Sequence, residues 1–201
     1  GKGLYKGTKT VNFNIRPATV TKLKVSSTGE KSVKLSWKKV TDADSYAIYR
    51  YDNTSKKWQR IKTVKAVSFT DSGLARAKGY SYKVKAVKKS GGKEYISASS
   101  SKAVEAVTKP AKASCTAKSA GSGSIEVSWK AVGGASGYEI YSSSNGSDYV
   151  KSAKVGGSHK SAIVSGFEPY SLRMVKVRAY KTVNGKTSYG AFSQAVMVIV
   201  R

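Results

Sequence analysis

A single cysteine and a single histidine stand in this chain of 201 residues. Cys115 therefore has no partner for an internal disulfide, and His159 cannot build a multi-histidine metal site. Acidic residues are also scarce, 11 Asp and Glu against 37 Lys and Arg, which leaves a net charge of +26. No apolar stretch approaches the roughly 20 residues that a helix needs to span a bilayer. No window of about a dozen residues carries the apolar spacing of three and four that marks an amphipathic helix. These shortages argue against redox and metal chemistry, against membrane insertion and against a helical fold.

Short alternating runs fill the chain instead. Val33, Leu35 and Trp37, then Tyr46 and Ile48, place apolar side chains on one face, with Lys34, Ser36, Ala47 and Tyr49 on the other, as half-buried strands do. Turn-forming pairs punctuate the runs, among them Thr28-Gly29, Asp52-Asn53, Gly91-Gly92, Asn145-Gly146 and Asn184-Gly185. The apolar fraction, 39%, is low, but its concentration in these runs is enough for modest cores. The positive charge is spread along the chain: residues 1–16 carry +4, residues 17–108 carry 20 basic and seven acidic side chains (+13), and residues 109–201 carry 13 and four (+9). Much of it is Lys at alternate strand positions, which reads as solvated strand faces that also favour anionic surroundings.

An internal repeat sets the organisation. The run KSVKLSWKKVTDADSYAIYRY from Lys31 returns as SGSIEVSWKAVGGASGYEIYSS, with Trp37, Tyr46, Ile48 and Tyr49 matched by Trp129, Tyr138, Ile140 and Tyr141 at an offset of 92. Leu74, Tyr82, Val84 and Ala86 then match Phe167, Val175, Val177 and Ala179 at an offset of 93. Two domains of like fold are expected, residues 17–108 and 109–201. Val107-Thr108-Lys109-Pro110 is too short for a flexible tether, and a restricted hinge is expected there.

These residues resemble the fibronectin type III family, in which a core Trp on strand B, a Tyr on strand C and a leucine-to-tyrosine corner before strand F recur; Trp37, Tyr46, Leu74 and Tyr80 fill those places. The resemblance implies an all-β chain of two tandem immunoglobulin-like β-sandwiches, with the Tyr80 hydroxyl bonded back to the preceding loop. The second copy departs from the pattern, since Arg173 stands where Tyr80 is matched, and nearby Tyr170 is the candidate to supply the missing bond. The run VKVRAYKTVNGKTSYGAFS from Val175 resembles modules of large surface proteins and polysaccharide-degrading enzymes of Gram-positive bacteria. Residues 1–16 resemble the closing strands of a bacterial immunoglobulin-like repeat. The opening Gly1-Lys2-Gly3 and the strand-like close at Ala195 to Val200 add the expectation that the chain is a piece of a longer protein. The resemblances imply an extracellular, secreted or surface-attached parent, whose other domains are the first expected partners.

A catalytic constellation is not evident. His159 lies in the glycine-rich Gly156-Gly157-Ser158-His159-Lys160 with no acidic neighbour within eight positions, so no group orients it as a base, and it is expected to be an exposed loop residue. Asp42 and Asp44 are replaced by Gly134 and Ser136 in the second copy, which favours turn chemistry over catalysis or calcium. Cys115 alternates with Ala113 and Ala117 and is expected to be buried. No cofactor is implied, and the sequence has no recognition helix, zinc spacing or RNA-binding aromatic motif, so only charge would argue for nucleic acid. One surface has the composition of a binding site. With strands C and F side by side, Tyr49, Tyr51, Lys83 and Lys85 face outward in the first copy, and Tyr141, Lys176, Arg178 and Tyr180 in the second. Rings flanked by cations can stack on sugars and hold acidic groups, so the candidate ligands are anionic cell-wall or host polysaccharide, teichoic acids or phosphate backbones. The competing expectation is a spacer that positions other domains, with these side chains serving only cross-strand packing.

Overall fold

A computed structural model describes residues 16–201. Residues 1–15, read above as closing strands of another repeat, lie outside the described residues. All regular structure among the described residues is β. The chain separates into two compact units, one holding Trp37–Val67 and Lys83–Lys102, the other Lys24–Ser36, Ser68–Tyr82 and Ala103–Arg201.

In the first repeat the strands are β1 (Lys24–Thr28), β2 (Ser32–Ser36), β3 (Ser45–Asp52), β4 (Lys57–Val64), β5 (Ser68–Ser72), β6 (Gly79–Ser90), β7 (Lys93–Ile96) and β8 (Val104–Val107). One sheet runs β1-β2-β5 and the other β4-β3-β6-β7, with β8 also paired to β6. The alternation in sequence decides which side chains are withdrawn from water. Val33 and Leu35 on β2, Tyr46 and Ile48 on β3, and Tyr82, Val84 and Ala86 on β6 are all buried. Each fully covered Val, Leu or Ile contributes about 1.5–3 kcal/mol relative to exposure. Trp37 packs edge-on to Tyr46 with ring centroids 5.4 Å apart, and the Tyr46 hydroxyl accepts the Val40 amide at 2.8 Å. Ala47, expected on the outward face, is nonetheless fully covered, because a methyl is too short to clear the taller side chains of the strands on either side.

The second repeat comprises β9 (Cys115–Ser119), β10 (Ser124–Trp129), β11 (Gly137–Ser143), β12 (Val150–Gly156), β13 (Ser161–Ser165), β14 (Leu172–Val183), β15 (Lys186–Tyr189) and β16 (Val196–Ile199). Its sheets run β13-β10-β9 and β12-β11-β14-β15, with β16 also on β14. Ile125, Val127, Trp129, Tyr138, Ile140, Val175, Val177 and Ala179 form one continuous core. Trp129 and Tyr138 repeat the ring pair at 5.1 Å, and the Tyr138 hydroxyl accepts the Val132 amide at 2.7 Å.

Both repeats carry a register shift at the same place, between Ile48 and Tyr49 against β4 and between Ile140 and Tyr141 against β12. A bulge adds local twist and re-aims the neighbouring side chain, here the matched outward tyrosines, and it roughens an edge strand that could otherwise pair with another chain.

The corner ending the E-to-F crossover differs between the copies. The Tyr80 hydroxyl accepts the Ala75 amide at 2.9 Å, as expected. In the second copy Tyr170 is 85% exposed, and among the described residues its backbone amide, not its hydroxyl, is engaged, donating to the Val200 carbonyl at 2.7 Å. The expected substitute hydroxyl bond is therefore not made; Tyr170 sits at φ 60°, which turns its side chain outward, and Arg173 instead stacks on Phe167 at 4.9 Å. Cys115 is half-buried, a correction to the expectation of full burial: it packs beside the core at the sheet margin, with its Sγ 3.2 Å from the Ser193 hydroxyl.

Candidate functional site

The outward face of β4-β3-β6 in the first repeat is built by three strands that each present alternate residues. Tyr49 and Tyr51 rise from β3, Trp58 from β4, and Lys83 and Lys85 from β6. Trp58 stands opposite Tyr51 in register, and the two rings meet edge to face at 5.4 Å. The Lys83 Nζ lies 4.5 Å from the Trp58 centroid, a cation held over an aromatic face. Tyr49, Trp58, Lys83, Lys85 and Ser100 line a shallow depression of about 310 Å³. Of the four residues expected here, Tyr49, Lys83 and Lys85 come together in the depression, while Tyr51 is outside its lining and meets it through the Trp58 ring. Trp58 was not foreseen, although its place in the alternating run Trp58, Arg60 on a strand next to Tyr51 was the available signal.

The carboxylates near this sheet are committed elsewhere. Glu94 takes Arg60 at 3.0 Å, and Asp44 takes the Lys89 amide at 2.7 Å and the Lys88 ammonium at 3.2 Å. Asp52 accepts from the Thr54 amide, Ser55 and Gln59 within its own turn. Hydrogen bonds to the ionised form hold Asp44 and Asp52 below the usual carboxylate range, and the Arg60 hydrogen bond does the same for Glu94. Asp44 thus ties the loop before β3 to β6, beyond the local turn role expected for it.

The matching face of the second repeat is a closed cluster. Glu139 on β11 is 2% exposed, and one of its carboxylate oxygens receives both the Arg178 Nε at 3.0 Å and the Nη2 at 2.8 Å. Lys151 reaches the other oxygen at 3.4 Å. Burial works to raise the Glu139 pKa, but the hydrogen bonds and charge of Arg178, with help from Lys151, outweigh it and hold the group below its ordinary value. The Arg178 guanidinium also donates to the Tyr141 hydroxyl at 3.0 Å and lies 4.1 Å from the Tyr189 ring and 4.8 Å from Phe192. Lys176 sits 3.5 Å from the Tyr149 ring centroid and 4.6 Å from Phe192. Tyr180 is set further along, beneath Lys154 at 4.6 Å and over Gly137. Tyr141, Lys176 and Arg178 are therefore brought together, but Arg178 is not the available cation the sequence suggested, because the buried carboxylate of Glu139 already neutralises it. Glu139, Tyr149 and Phe192 were missed. Only Glu139 left a trace, as the acidic residue at the position of Ala47 in the first copy.

His159 lies exposed in its loop, and its carbonyl accepts the Trp129 indole N–H at 3.1 Å. Among the described residues no group of three or more His, Cys, Asp or Glu is placed to hold a metal ion, and no helix is long and apolar enough to cross a membrane.

Comparison with known proteins places this geometry. A two-domain fibronectin type III segment from chicken tenascin superposes with a TM-score of 0.51, at 18% identity, over 90% of this chain and 99% of that one. The chain has the fold of two tandem fibronectin type III sandwiches. The FN1–FN3 domains of chicken CNTN1 align over 92% of this chain and 68% of theirs, at 17% identity and a TM-score of 0.44. In sequence, 100 residues are 43% identical to a poly(3-hydroxybutyrate) depolymerase of Ralstonia pickettii, covering 50% of this chain and 18% of that protein. The match thus spans under a fifth of the relative's length. No family model matches the chain. Two sandwiches of the fibronectin type III fold account for the regular structure described above, and their outward C–F faces differ in chemistry, since Glu139 pairs with Arg178 in the second where the first has Ala47 and Lys85.

Proposed function

We propose that this chain is a non-catalytic accessory segment of a larger extracellular bacterial protein, secreted or attached to the surface, in which two fibronectin type III modules space and position other domains. The partial match to a depolymerase carries the reading: about 100 residues of this kind recur within a much longer enzyme, of which they are 18%. A folded sandwich suits that role, because its core resists the compaction that a flexible linker of equal length undergoes. The test places the 201-residue chain between a donor and an acceptor fluorescent protein and compares energy transfer with that of a Gly/Ser linker of equal length. A spacer gives lower transfer with a narrower distance distribution; transfer equal to the flexible linker refutes the role. Incubation with poly(3-hydroxybutyrate) film is expected to release no acid, and release would overturn the non-catalytic assignment.

A second reading, recognition of an anionic glycan, is favoured by one observation: the aromatic and lysine-lined depression of the first module. The two readings are compatible, since a spacer can also hold its parent against a polymer.

A further inference from the structure

We propose that the glycan-binding capacity resides in the first module alone, at Tyr49, Trp58, Lys83, Lys85 and Ser100, and that its ligand is a carboxylate-bearing polysaccharide. The proposal rests on the second reading above and assigns it a site, a module and a ligand chemistry.

The repeat makes the comparison direct. Lys83 and Lys85 match Lys176 and Arg178 at the offset of 93, and Tyr49 matches Tyr141 at the offset of 92. Both modules thus present two cations and a tyrosine at equivalent positions of the same face. One difference is a buried acid: Glu139 in the second module stands where the first has Ala47. Glu139 occupies Arg178 with two hydrogen bonds, and Lys176 is held between two rings, 3.5 Å from the Tyr149 centroid and 4.6 Å from that of Phe192, where Lys83 has the single Trp58 ring at 4.5 Å. Among the described residues of the first module, the ion pairs of the sheet join Arg60 and Lys89 to Glu94 and Lys88 to Asp44, and none of them reaches Lys83 or Lys85. Among the described residues, Lys85 makes a long contact of 3.4 Å to the Ala98 carbonyl.

Two lysines on alternate residues of β6 leave the same face about 7 Å apart. Trp58 flanks them with an aromatic face that Lys83 already uses as a cation site. A pyranose ring can take that face once its carboxylate draws Lys83 off the ring and recruits Lys85 with it, each as a strongly hydrated point charge. The Ser100 hydroxyl adds a donor and acceptor for a sugar hydroxyl. At about 310 Å³ the depression is at the small end of ligand sites (about 300–1,000 Å³), the scale of short saccharide rather than extended nucleic acid. The net charge of +13 over residues 17–108 selects an acidic polymer over a neutral one.

The test is titration of the 201-residue chain with polygalacturonate oligomers at about 150 mM salt, beside dextran oligomers and inorganic polyphosphate. Saturable binding of polygalacturonate is expected, with none of dextran and weaker, salt-abolished binding of polyphosphate. Lys83→Ser/Lys85→Ser and Trp58→Ser should each weaken binding about tenfold or more, the loss of a charge-assisted contact. Ala47→Glu, which installs beside Lys85 the carboxylate that Glu139 gives Arg178, should weaken it likewise, and Lys176→Ser should leave it unchanged. Thermal unfolding of each variant separates loss of the site from loss of the fold; the lysine double variant, altered only in half-exposed side chains, keeps the test decisive if another variant unfolds. Polygalacturonate binding unmoved by the first-module variants overturns the site while leaving the glycan reading standing. Absence of polygalacturonate binding overturns both. Polyphosphate binding as tightly and as salt-resistantly overturns the sugar assignment in favour of charge alone.

Discussion

Glu139 and Arg178 face each other across β11 and β14 in direct register, and the guanidinium delivers Nε and Nη2 to a single oxygen of a carboxylate that is 2% exposed. A charge so placed is stable only while its partner stays. Replacing Arg178 by Met leaves the carboxylate with Lys151 at 3.4 Å as its remaining ion pair. The expected cost is about 3 kcal/mol, the low end for a broken buried pair, because Arg178 is itself 22% exposed. The double variant Glu139→Leu/Arg178→Met should recover most of that loss, since no charge remains to be desolvated. Urea denaturation of both variants decides it; a double variant as unstable as the single one refutes the account.

The same pair makes a pH dependence with a definite sign. The folded-state pKa of Glu139 is depressed, so its contribution is fully present above the unfolded value of about 4.3 and fades as pH falls through the lower folded value. Asp44, Asp52 and Glu94 are depressed too and act in the same direction. Stability should therefore fall on acidification below the ordinary carboxylate range. Glu139→Gln should be less stable than the parent near neutrality, with the gap closing in acid. Denaturation midpoints across the acid range test this, and a gap that widens as pH falls is the contrary result.

Tyr80 and Tyr170 are predicted to behave oppositely. Tyr80→Phe removes the acceptor of the Ala75 amide and should cost about 1 kcal/mol, the net worth of a typical hydrogen bond. Tyr170→Phe should stay within about 0.5 kcal/mol, because the residue is 85% exposed. Calorimetric scans of the two variants compare them directly, and equal losses would mean that Tyr170 makes the corner bond its sequence position suggested.

Much of the fold could be read in the chain because the period of two that marks a strand also dictates burial: Tyr46, Ile48, Val84 and Ala86 are inward for the same reason that Tyr49, Lys83 and Lys85 are outward. The repeat offset transferred that pattern to the second module without new assumptions. Chemistry that depends on which strands are neighbours was less legible. Trp58 joins the first face only because β4 lies beside β3, and Phe192 joins the second from the irregular segment between β15 and β16, where no periodicity exists. Glu139 was visible as a residue but not as a partner, since its neutralising role follows from the β11 to β14 register, which a sequence without its pairing does not contain.

Gly137 offers the last test, of a close approach in place of a charge. It pairs with Gly156 on one side and Tyr180 on the other, and a Cβ there would strike the Val155 carbonyl and come within 2.5 Å of the Tyr180 hydroxyl. Gly137→Ala should thus cost about 1–3 kcal/mol, the range for overpacking a filled site. Removing the ring as well, in Gly137→Ala/Tyr180→Ala, should not restore stability, because the Val155 oxygen belongs to the backbone and cannot rotate away. Gly133→Ala is the control: nothing lies within 4 Å of its Cβ position, so a change within about 0.5 kcal/mol is expected. Thermal unfolding of the three variants settles the matter. Equal midpoints for Gly137→Ala and Gly133→Ala would show that the strand shifts freely, and full recovery in the double variant would place the constraint in the Tyr180 ring instead of the β11–β12 backbone.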